Sequence, residues 1–177
     1  MAVAHRADPD RDPDAELRAI LRWGIKRSLL DYVAQLTDGA IDVSPGVVER
    51  ADGTFEFPLE PGSGERRDAR GQLHIAYQGS VSLRGHRDRM VITLIDPAIV
   101  FTSASGVFLT TSQLDPSTKQ SWRRPIAVLD VGWSRDPLGA VQWNQLPASL
   151  SREGSLWLAN QYPVGQALDS ISFSRSW

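Results

Sequence analysis

Beyond Gly39 the chain breaks into short segments rich in β-branched and aromatic residues, each closed off by glycine, proline or aspartate. Side chains that alternate with a period of two, interrupted at short intervals by turn formers, are satisfied by strands joined through tight connections. The run Leu73 to Leu83 shows this best, with Leu73, Ile75, Tyr77, Val81 and Leu83 on one face and His74, Gln78, Ser80 and Ser82 on the other. It is expected to pair with Met90 to Ile95 through Gly85-His86-Arg87-Asp88, a connection of hairpin length that places His86 at a strand end. Further strands are predicted at Thr54 to Leu59, Ile99 to Phe101, Val107 to Thr111, Ile126 to Trp133, Val141 to Trp143, Ser155 to Ala159 and Ser170 to Phe173.

Before Gly39 the period changes. Leu17, Ile20, Leu21, Ile25, Leu29, Val33 and Leu36 recur at spacings of three and four, forming one broad apolar arc on a helix. Asp12 followed by Pro13 is a helix start, and Thr37, Asp38 and Gly39 end it, so a helix is predicted from Pro13 to Leu36. The fold expected is mainly β: an antiparallel β-sandwich with an N-terminal α-helix packed on it. Residues 1–12 read as a flexible polar tail and 13–177 as a single domain. The aspartates Asp8, Asp10, Asp12 and Asp14 do not make a calcium loop, because Pro13 stands where the turn needs glycine and Ala19 where the bidentate glutamate belongs. The charged stretches Ser63 to Arg70 and Asp115 to Arg124 read as loops, and no internal repeat is present.

Composition removes several function classes. A formal charge of −2 with both signs interspersed offers no basic field for nucleic acid. The absence of cysteine excludes disulfides, thiolate nucleophiles and cysteine-based metal sites. Met1 to Asp14 carries no apolar run, which predicts no membrane span and a cytoplasmic protein, or an exported one if the sequence is a processed form. There is no Gly-x-Ser-x-Gly elbow, phosphate-cradling loop or paired-histidine motif, and Gly62-Ser63-Gly64 reads as a flexible turn, so the chain is not expected to be an enzyme.

Within the predicted helix, Gly24, Ser28 and Tyr32 follow one another at four-residue intervals along one face. Gly24 costs the helix about 1 kcal/mol. Such a shallow strip either lets a sheet approach closely, with Tyr32 as a core aromatic, or leaves room for something flat.

Leu21-Arg22-Trp23-Gly24-Ile25-Lys26-Arg27-Ser28-Leu29-Leu30-Asp31-Tyr32-Val33 resembles the opening motif of HtaA-type haem-binding domains, a family of bacterial haem uptake and transport. Tyr77 to His86 followed by Leu94-Ile95-Asp96-Pro97 is similar to the family's central strand pair, and Asn160 to Asp169 to its terminal segment. The resemblance spans about residues 17 to 173 with all three motifs in order. It implies that Tyr32 is the axial ligand of ferric haem b, that His86 hydrogen-bonds the phenolic oxygen, and that Ser28 and Tyr162 touch the macrocycle or its propionates. Gln161 stands where family members carry an aromatic residue beside the terminal tyrosine. The implied role is haem acquisition, trafficking or storage, with haem as ligand, another haem-transfer protein as partner, and room for a homodimer.

These residue types suit that chemistry. A free phenol has a pKa of about 10, so ligation needs ferric charge or a hydrogen-bond donor to favour the phenolate. An imidazole supplies such a donor. Phenolate is a hard anionic donor, as in catalase, but peroxide chemistry needs a distal acid-base group, and neither His5 in the tail nor His74 on a polar strand face offers one. A second reading makes Trp122, Trp133, Trp143 and Trp157 an aromatic platform for carbohydrate or lipid.

Overall fold

Alternation decides the architecture. In the computed structural model, which describes residues 19–62, 64–102, 106–132 and 142–175, two antiparallel sheets enclose one hydrophobic core. The chain runs β1 (Ile20–Trp23), α1 (Arg27–Gln35), β2 (Ala40–Val43), β3 (Val48–Glu49), β4 (Phe55–Pro58), β5 (Glu65–Arg67), β6 (Leu73–Ala76) and β7 (Ser80–Gly85). It continues as β8 (Met90–Ile95), β9 (Ala98–Phe101), β10 (Val107–Leu114), β11 (Ser121–Leu129), β12 (Gln142–Leu150), α2 (Arg152–Trp157) and β13 (Ala167–Ser174). Ten strands form one sheet in the order β3-β4-β1-β13-β12-β11-β10-β9-β6-β5, and β2-β7-β8 form the other. The expected mainly-β antiparallel fold with a helix near its start is therefore present.

The helix is far shorter than its apolar period suggests. The predicted start at Pro13, and Leu17, lie outside the described residues, and Ile20–Trp23 is a strand, not helix. Leu21 pairs with Phe57 on one side and Phe173 on the other. Both neighbours supply backbone partners, and Leu21 and Trp23 become fully buried. Each large apolar side chain buried in this way contributes about 1.5–3 kcal/mol. Helical spacing and strand alternation are both present in these four residues; the two flanking strands decide between them.

Gly24 then ends the strand, and its missing side chain has a specific use. A Cβ there would lie 2.7 Å from Asp169 Oδ2. The Asp169 carboxylate accepts a hydrogen bond from the Arg27 backbone N–H at 3.1 Å, at the start of α1. Lys26, the N-cap residue, makes no side-chain cap of its own. Gly24 thus makes room for an anion at a helix N-terminus rather than for a flat ligand.

The run Leu73 to Leu83 is two strands. Gly79, at φ +110, turns the chain from β6 in the large sheet to β7 in the small one. A Cβ at Gly79 would sit 2.4 Å from Val47 Cγ2, and its N–H donates to Asp96 Oδ1 at 2.8 Å. The apolar face stays continuous through the corner, because Ile75, Tyr77, Val81 and Leu83 are all buried. β7 pairs with β8 from Ser80↔Ile95 to Gly85↔Met90, in the expected hairpin.

Two further expectations are corrected. Ser155 to Ala159, predicted as strand, is the end of α2 and the turn after it; Ser151 Oγ accepts from Gly154 N at 2.9 Å, and a Cβ at Gly154 would fall 2.0 Å from Ile126 O. The cap and the close approach to β11 select a short helix over the Ser-Leu-Trp-Leu alternation. β11 begins at Ser121, inside the expected charged loop, and ends at Leu129, while Trp133 and Val141 lie outside the described residues. The stretch expected as a loop from Ser63 also contains the edge strand β5, with Ser63 itself outside the described residues.

Gly79→Ala should destabilise the protein by about 2–3 kcal/mol in urea unfolding, because the new side chain meets both positive φ and Val47. A second expectation concerns Asp52, whose carboxyl is lowered to about 2 by hydrogen bonds from the Thr54 hydroxyl and N–H and by Arg22. Its contribution is present above the ordinary value of 3.8 and is lost as pH falls through about 2. The stability difference between wild type and Asp52→Asn should therefore shrink between those two pH values.

Candidate functional site

Tyr32 follows Leu29 by three residues on α1, yet it is 44% exposed while Leu29, Leu30 and Val33 are buried. A large aromatic held out of the core needs another partner. His86, at the start of the β7–β8 loop, supplies it: Tyr32 Oη and His86 Nε2 lie 2.6 Å apart, with ring centroids at 6.0 Å. A neutral phenol donates to a bare Nε2, whereas a phenolate accepts from Nε2–H. One proton can thus be held on either atom without breaking the contact.

The pair stands at the edge of a cleft of about 620 Å3. Leu29 and Tyr32 line it from α1, and His86, Arg89, Met90 and Ile92 from the hairpin. The opposite wall is α2 and the turn after it, with Trp157, Leu158, Gln161 and Tyr162. Trp157 Nε1 donates to Thr93 O at 3.1 Å, which ties α2 to β8. Ala159 and Asn160, both at positive φ, reverse the chain, and the buried Ser155 hydroxyl donates to Tyr162 O at 2.7 Å. Lys26 Nζ sits 5.4 Å from the centre of the Tyr162 ring. The lining is apolar with cations at its rim, and the volume is within the usual range for small-molecule sites.

Of the four residues singled out in the sequence, Tyr32, His86 and Tyr162 come together on this cleft. Ser28 is exposed one helical turn before Tyr32 but is not part of the cleft wall. Gly24 is not in the helix at all. Gln161 does line the cleft, beside Tyr162. His74 lies elsewhere, with Nε2 at 3.1 Å from Asp68 Oδ2. Among the described residues the tryptophan platform is not assembled: Trp143 and Trp157 are buried, Trp143 stacking on Phe173 at 4.6 Å, and of the described members only Trp122 is exposed, beneath Arg124. The fourth member, Trp133, lies outside the described residues. Sequence reasoning missed Leu29, Arg89, Ile92 and Leu158 as lining residues; Ser151 as an N-cap was the available signal for the α2 wall. Among the described residues no group of three or more His, Asp or Glu could hold a metal ion, and no helix is long and apolar enough to cross a membrane.

An exposed phenol paired with an imidazole stands beside a largely apolar cleft in an antiparallel β-protein. Residues 18–174 match the family model of HtaA, and the chain belongs to the HtaA family. It is similar to the C-terminal domain of HtaA from Corynebacterium glutamicum, with 25% identity, TM-score 0.64, and 89% of this chain and 94% of that one covered. The N-terminal domain of the same HtaA is 21% identical with TM-score 0.67 over 90% and 98%. The haem-binding protein HtaB from Corynebacterium glutamicum is 15% identical with TM-score 0.57 over 89% and 91%. No functionally curated sequence matches the chain.

Ser155→Ala would leave the Tyr162 carbonyl without its buried donor. The expected cost is about 1–2 kcal/mol in urea unfolding, with faster amide hydrogen exchange across residues 159–162.

Proposed function

We propose that the cleft binds ferric haem, with the Tyr32 phenolate as axial ligand and His86 as its hydrogen-bond partner. The observation that carries this reading is the 2.6 Å contact between an exposed phenol and an imidazole at the edge of an apolar cleft. Family membership and the name of HtaB, a haem-binding protein of the same fold, support it. Haem, when bound, supplies the ferric charge and the Lewis-acid centre that favour a phenolate.

The chain's own residues account for the rest. His86 Nε2 can take the Tyr32 proton and, as Nε2–H, donate to the phenolate it leaves behind. Leu29, Ile92, Trp157 and Leu158 exclude water from the faces of a flat ligand, and Tyr162 offers an aromatic contact under Lys26. Arg89 and Lys26 are cations at the rim, suited to propionates. Ser28 is exposed one turn before Tyr32 on the same helix and would meet only a part of the ligand that extends beyond the cleft wall. The role we propose is haem carriage in acquisition, trafficking or storage, which the family membership supports.

The test is a titration of the haem-free protein with ferric haem, followed by absorption and resonance Raman spectra. Wild type should give one-to-one binding with a phenolate-to-iron charge-transfer band. Tyr32→Phe should lose the band and bind at least about tenfold more weakly, the scale of one lost charge-assisted contact. No binding by wild type, or an unchanged spectrum in Tyr32→Phe, would overturn the reading.

A further inference from the structure

The loop that carries His86 has a conformation its own sequence does not favour. His86, Arg87 and Asp88 stand in succession at φ 56, 56 and 60, and none is glycine. L side chains resist this region, and a run of three is rarer than single visits. Inside the loop, one backbone bond opposes the cost, from Arg89 N–H to His86 O at 3.2 Å.

Support comes from outside. Asp38, in the turn between α1 and β2, accepts from the Arg87 backbone N–H through Oδ2 at 2.5 Å. Its carboxyl is held below the ordinary carboxylate value chiefly by that N–H, with the His86 N–H acting in the same sense and burial opposing. Successive N–H groups in such a turn form a concavity that suits an anion. The carboxylate is itself anchored: a Cβ at Gly39 would lie 1.8 Å from Val33 O, so the turn is pressed against the end of α1. At the loop's base, a Cβ at Gly85 would lie 2.5 Å from Leu36 Cδ1. Asp38 does not itself line the cleft, and it meets the site only through the backbone of the His86 loop.

We infer that Asp38 is a positioning residue, whose carboxylate clamps the His86 loop to the helix that carries Tyr32 and so sets the imidazole against the phenol. Its consequence for ligand affinity rests on the haem reading above; its consequence for His86 does not. The clamp converts two elements that are 54 residues apart in sequence into one rigid unit before any ligand arrives.

The test uses the haem-free full chain, isotope-labelled and held at one neutral pH, as wild type, Asp38→Asn, Asp38→Ala and Tyr32→Phe. In Asp38→Ala the His86 Nε2 resonance should move to its Tyr32→Phe position, and amide exchange at Arg87 and Arg89 should rise by at least about tenfold. Asp38→Asn keeps a neutral acceptor and should fall between; it also carries the test if the alanine variant fails to fold. Resonances of β10 to β13 should stay in place. In the second arm, ferric haem affinity should fall about as much in Asp38→Ala as in His86→Ala, and the double variant should be no weaker than His86→Ala alone. An unmoved His86 ring and unchanged loop exchange overturn the clamp, whatever haem does. Additive losses in the double variant overturn its action through His86. Failure of wild type to bind haem would overturn the proposed function while the first arm still judges the clamp.

Discussion

The position of α1 depends on a carboxylate contributed by the far end of the chain. Asp169, at the start of β13, accepts from the Arg27 N–H, while its own N–H donates to Ile25 O and its carbonyl accepts from Trp23 Nε1. A nine-residue helix is marginal by itself, and this one has no side-chain cap and no acidic residue in its first turn. The remote aspartate supplies the missing anion at the positive end of the helix. Because Tyr32 is carried by α1, the phenol's place in the molecule is set by a contact that spans almost the whole fold.

The cleft is then assembled from parts of both sheets. Gly79 sends β7 out of the large sheet and so lets the β7–β8 hairpin stand over the core with His86 at its tip. Thr111 Oγ1 accepts from Ile95 N–H and donates to Ile95 O, and Trp157 Nε1 reaches Thr93 O, so the outer edge of β8 is stitched to β10 and α2. Those side-chain bonds satisfy backbone groups that an edge strand would otherwise leave open. They also fix the distance between the hairpin wall and the α2 wall.

Much of this was legible in the sequence, for identifiable reasons. The alternation in β6 to β8 is local, and the Tyr32 and His86 motifs carry a family resemblance, so the strands and the meeting of Tyr32 with His86 were readable together. Ile20–Trp23 was not, because its decisive neighbours, Phe57 and Phe173, are remote in sequence and periodicity sees only the segment itself. Ser155 to Ala159 failed similarly: the packing of Gly154 against Ile126 O outweighs a short alternation. The thin strip at Gly24 was a true signal with the wrong occupant, since what fills the space is Asp169. Ser28 kept its place beside Tyr32 only because the helix covers those two residues.

The pairing of β1 with β13 has a topological consequence. Ile20 N–H donates to Ser174 Oγ at 3.1 Å, so the first and last described strands lie side by side. A fold with its outermost described strands so paired can be threaded into a loop of another protein, or repeated along one polypeptide, without stretching its sheets. Joining the two strands by a short linker and reopening the backbone at the exposed turn between β10 and β11 would yield a circular permutant with every strand pair retained.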